Sequence, residues 1–89
     1  MRAVITVVGK DMVGILAKVS NECAAHNINV IEVTQSILQD MFAMIMMVEI
    51  SSSDIPFTQF ADTLEKIGDD MHLSIHVMHE DIFNAMHTI

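Results

Sequence analysis

The segment Val4-Ile5-Thr6-Val7-Val8-Gly9-Lys10-Asp11-Met12-Val13-Gly14-Ile15-Leu16 changes periodicity part-way, and the rest of the chain can be laid out from that change. Ala3 to Val8 is a β-branched apolar run closed by Gly9, so it reads as a buried strand. From Met12 to about His26 the apolar positions Ile15, Leu16, Val19 and Cys23 recur at helical spacing, which predicts an amphipathic helix. Asp11 is a candidate N-cap for it, and Asn27 can supply a left-handed stop. Gly14 then falls in the first helical turn, where glycine costs about 1 kcal/mol against alanine. Another requirement must keep it there. The expectation is close approach, by backbone or by a ligand, to amide N–H groups at a helix N-terminus.

Downstream, the pattern from Ile28 to Leu38 has period two, with Ile31, Val33 and Ile37 on one face and Glu32, Thr34 and Ser36 on the other. Gln39-Asp40 makes a short polar turn into Met41–Ile50, so the two runs form a hairpin. Met41–Ile50 is apolar on both faces, whereas a sheet covered on one side should alternate. Ser51–Asp54 is a loop and Pro56 suits a first helical turn. Phe57, Phe60, Ala61, Leu64, Ile67 and Met71 mark a second amphipathic helix. Leu73, Ile75 and Val77 alternate with Ser74, His76 and Met78 as a fourth strand. Asp81 is a candidate cap for a short terminal helix carrying Ile82, Phe83 and Met86. The order β-α-β-β-α-β predicts an α+β, ferredoxin-like sandwich over residues 1–89. It has a four-stranded antiparallel sheet, two helices on one face and a short C-terminal helix. The other face stays bare unless a second subunit covers it, which accounts for the two-sided strand and predicts a homodimer or higher even oligomer.

Composition narrows the function classes. The apolar fraction of 52% exceeds the usual ~45–50%, which again fits surface covered by another subunit. Twelve acids against four bases give a formal charge of −8, and Arg2, Lys10, Lys18 and Lys66 form no stripe. Such a balance tells against nucleic acid and against anionic membrane surfaces. No run is long enough to span a bilayer, no leader segment is visible, and the single Cys23 fits a reducing cytoplasm.

Asp11, Gly14, Ile15, Leu16 and Val19, followed by Asn27-Ile28-Asn29-Val30, resemble the ACT domain, a small-molecule-sensing βαββαβ module of amino-acid metabolism. The resemblance covers essentially the whole chain. It is to single-ACT proteins and, more distantly, to the ACT units of glycine-cleavage repressors and formyltetrahydrofolate deformylases. It implies a regulatory amino acid bound at an interface between domains, touching Asp11, Met12, Val13 and Gly14 of one copy and Asn29 and Val30 of the other. Serine-sensing relatives often carry an amide where this chain has Asp11, which tells against serine. The residues agree with a zwitterionic ligand. Helix amides and Lys10 favour its carboxylate, and Asp11 can accept from its ammonium. Each also has a plainer reading: Asp11 as cap, Gly14 as a packing residue, Asn29 as a turn residue and Lys10 as a solvated cation.

His72, His76, His79 and His87 crowd the C-terminal third beside Glu80 and Asp81, yet no metal-ligand spacing appears. The nine methionines read as apolar filler. No nucleophile–base pair, phosphate loop or cofactor motif is present, so neither catalysis nor a cofactor is expected. Two readings stand. One is a regulatory module that binds a metabolite and signals to a partner protein; the other is a ligand-free homo-oligomeric adaptor.

Overall fold

The computed structural model describes residues 1–10 and 13–86. Along the chain run β1 (Arg2–Gly9), α1 (Ile15–Ala25), β2 (Asn29–Leu38), β3 (Met41–Glu49), α2 (Phe57–Met71), β4 (Ser74–His79) and α3 (Glu80–Met86). The strands form one antiparallel sheet in the order β2-β3-β1-β4. This is the ferredoxin-like arrangement expected from the sequence.

Ala3, Ile5 and Val7 of β1 and Met44, Met46 and Val48 of β3 point to the face that carries α1 and α2. Ile15, Val19 and Cys23 from α1, and Phe60, Leu64 and Ile67 from α2, complete that core. Burying each large side chain contributes about 1.5–3 kcal/mol. Both long helices end alike. Asn27 and His72 adopt left-handed φ values of 60° and 59°, and the N–H of the next residue reaches back to Cys23 and Gly68 carbonyls at 2.8 Å. Asn27 was legible as a stop; His72 was not.

Gly68 marks where α2 meets β4 most closely. A Cβ there would lie 2.8 Å from both the Leu73 carbonyl oxygen and Ile75 Cγ1.

Several expectations are corrected. The helix predicted from Met12 begins at Ile15, and Gly14 is its N-cap residue rather than part of its first turn. The β2 alternation is broken by a bulge between Val30 and Glu32, so Ile31 does not share the regular register of Val33 and Ile37. Asp81 lies within α3, and the side chain that receives its N–H is His79, at Nδ1, 3.1 Å away.

The second sheet face is not bare. Val4 points there, between Met47 and Met78, and is fully buried. α3 folds against β1 and β4 at this end, tied by an Arg2 Nη2–Glu80 Oε2 pair at 2.6 Å. At the other end Val8 and Ile45 remain 39% and 40% exposed.

Candidate functional site

β1 ends at Gly9, and the chain passes Lys10 and Val13 to enter α1 at Gly14. Asp11 and Met12, expected to contact a ligand, lie outside the described residues. Gly14 has φ 78°, a left-handed conformation that glycine adopts without strain. Among the described residues no side-chain hydrogen bond caps α1, and no acidic residue stands in its first turn. The cap position assigned to Asp11 is therefore Gly14's. Among the described residues a Cβ at Gly14 would meet nothing within 4 Å, so no neighbouring backbone presses on it, and its φ of 78° favours glycine.

The opening amides of a helix have no acceptor within it, and they carry the positive end of its dipole. Among the described residues neither a side-chain cap nor an acid offsets that charge. Lys10 adds to it. Its Nζ is 3.8 Å from Asp40 Oδ2, with both side chains about three-quarters exposed (76% and 74%), so the pair contributes little. Val13 is 86% exposed beside this opening.

Next to Lys10 opens a cavity of about 760 Å³. Val8, Met41, Met71 and Leu73 supply apolar wall, and Lys10 and His72 supply nitrogen. Gly9 shapes its floor: a Cβ there would overlap Leu73 Cδ2. Sequence reading missed these walls because they come from β1, β3 and the α2–β4 turn. No single periodicity links such positions. The one local signal was Gly9 closing an apolar run.

Asn29 and Val30 lie at the opposite end of the sheet. Asn29 opens β2 across from Glu49, whereas Gly9 pairs with Phe42 at the far end of β3. At about 3.3 Å per residue, the eight positions of β1 put roughly 25 Å between the two groups. One chain does not bring them together.

Asn29 instead borders a polar cavity of about 470 Å³ with Asn27, Glu49 and Ser52. The Met1 ammonium donates to Glu49 Oε1 at 2.8 Å, and the Ser51 hydroxyl and backbone N–H donate to the same oxygen. Together they hold the Glu49 carboxyl down to about 2. Nearby, the Asn27 side chain donates to the Ser52 carbonyl at 3.1 Å, and His26 Nδ1 lies 2.9 Å from Asp54 Oδ1. These contacts fasten the end of α1 to the β3–α2 loop.

Among the described residues no group of three or more His, Cys, Asp or Glu is placed to hold a metal ion. His87 lies outside them. Cys23 is buried in the core, and burial, with Glu22 adding to it, pushes its thiol up to about 11, the environment of an unreactive structural cysteine. No described helix is long and apolar enough to cross a membrane.

The ACT domain family profile matches residues 2–78. The chain belongs to the ACT domain family. It is 47% identical over 89 residues to a UPF0237 protein of Listeria monocytogenes, covering 100% of both chains. Among solved structures it resembles an ACT domain protein from Streptococcus pneumoniae, with a TM-score of 0.79, 35% identity and 93% of each chain covered. It also resembles a putative glycine cleavage system transcriptional repressor, with a TM-score of 0.70 and 25% identity, over 89% of this chain and 47% of that one. ACT domains are generally a regulatory, ligand-binding family.

Proposed function

We propose that residues 1–89 act as one ACT unit that binds an amino acid or similar small metabolite between two copies and passes its occupancy to a partner protein. The observation that carries this reading is the head of α1. There Gly14 is left-handed, no described side chain caps the first turn, and Lys10 stands beside an open cavity. That combination favours a carboxylate.

The second copy is called for by the distance between the Lys10–Gly14 end and Asn29–Val30. It is favoured also by β2, an unpaired edge strand of ten residues that contains no Lys or Pro. Such an edge is a template for another strand. Antiparallel pairing centred on Gln35 sets Val33 against Ile37 of the second copy and keeps the two Glu32 side chains apart. The same register carries Asn29 and Val30 of that copy past Leu38, toward the end of the sheet where Gly9 and Lys10 lie. A purely structural adaptor is the other reading, favoured by the same exposed strand.

A melting screen against the twenty amino acids, followed by calorimetric titration, separates the two. At least one amino acid is expected to raise the Tm and titrate with saturable heat. No shift from any of them would leave the adaptor reading.

A further inference from the structure

We propose that the cavity at the Gly9 end of the sheet receives the apolar side chain of a monocarboxylate whose carboxylate is held by Lys10. This rests on the amino-acid reading above and narrows it to a ligand class. The cavity, at about 760 Å³, falls within the roughly 300–1,000 Å³ typical of small-molecule sites and is far larger than a glycine or serine side chain requires. Its walls are mostly apolar. Val8 and Met41 stand 39% and 38% exposed at its mouth, while Leu73 is 7% exposed against Gly9. Met41 and Met71 are flexible thioethers that adapt to the shape of an apolar guest.

Charge points the same way. Among the described residues the lining includes Lys10 and His72 and no carboxylate, within a chain whose formal charge is −8. Among the described residues Lys10 has an exposed 3.8 Å pairing with Asp40, which a ligand carboxylate can replace. His72, fixed in its left-handed turn, adds an imidazole to the same rim. A cationic side chain would meet Lys10, and the described lining offers it no acid. A small polar side chain would leave the apolar wall exposed to water. The class that fits is an amino acid with a branched or aromatic apolar side chain, or the 2-oxo acid of the same skeleton.

Calorimetric titration of the intact protein with leucine, phenylalanine, serine, glycine, lysine and 4-methyl-2-oxopentanoate tests this, alongside Val8→Glu and Lys10→Gln. Lys10 is so exposed that its substitution leaves folding intact, and melting curves check the Val8 variant. Leucine and phenylalanine are expected to bind at least tenfold tighter than serine or glycine, with lysine excluded. Each substitution should weaken leucine about tenfold. The 2-oxo acid distinguishes the two sources: binding equal to leucine assigns recognition to the carboxylate and side chain alone. Binding of leucine only adds a partner for the ammonium and keeps the pocket. Serine or glycine binding as tightly as leucine, with Val8→Glu without effect, would overturn the proposal and leave the amino-acid reading standing. Silence from leucine, phenylalanine and the 2-oxo acid would overturn the pocket, while the screen of all twenty amino acids decides the broader reading.

Discussion

α2 and β2 belong to the same small sheet-and-helix sandwich, yet they bury their apolar residues to opposite extents. On α2, Phe60 and Leu64 are 1% and 0% exposed, and Gly68 lets the helix press onto Leu73 and Ile75. On β2, Ile31, Val33 and Ile37 are 47%, 37% and 71% exposed, and the strand's outer edge has no partner within the chain. Both segments are rich in apolar residues, so composition does not separate them. The difference is one of cover: the α2 side closes the fold within the chain, and the β2 side stays open to solvent.

The largest expected effect tests the closed side. Phe60→Ala should lower stability by about 3–5 kcal/mol, because a fully enclosed ring leaves a cavity behind it. Ile37→Ala should cost less than about 0.5 kcal/mol in the isolated chain, as at other exposed sites. Urea unfolding at low protein concentration measures both, and equal losses would erase the contrast between the two sides.

A smaller effect is expected at Gly14. Gly14→Ala should cost about 1–2 kcal/mol, since a side chain is strained at a left-handed φ although the space around it is empty. Gly14→Asn should recover much of that loss, because asparagine tolerates the same conformation. Thermal melts of the pair check the cause: if alanine and asparagine lose the same amount, the φ is not what selects glycine.

The fold was legible because its elements announce themselves locally. Switches from period two to period 3.6 at Gly9 and after Ser51–Asp54, with turns at Asn27 and Gln39-Asp40, are enough to order the strands and helices. The site was legible only in part. Gly14 and Lys10 were singled out from the loop, and of the two approaches expected at Gly14, by backbone or by a ligand, no described protein atom makes the first. Close approach occurs at Gly9 and Gly68, where the neighbours, Leu73 and Ile75, come from β4 and the turn before it. Nothing local in a sequence reveals such long-range contacts. The burial of Val4 by α3 was missed for the same reason: a seven-residue helix reads as a chain end until the register places it over β1. Exposure of β2 could not be read either, since an alternating apolar strand looks the same whether its cover is its own helix or another chain.

The claim that the open side completes a ligand site is tested most directly by the dimer dissociation constant, measured by sedimentation with and without the most stabilising amino acid. A ligand held between two copies must tighten their association by the same factor that association tightens its own binding. Wild-type protein is expected to dimerise at least tenfold more tightly in saturating ligand, and Ile37→Lys to remain a 9.9 kDa monomer with weakened binding. A dimer constant unchanged by ligand, or a monomeric Ile37→Lys protein that binds the amino acid with wild-type affinity, would contradict the account.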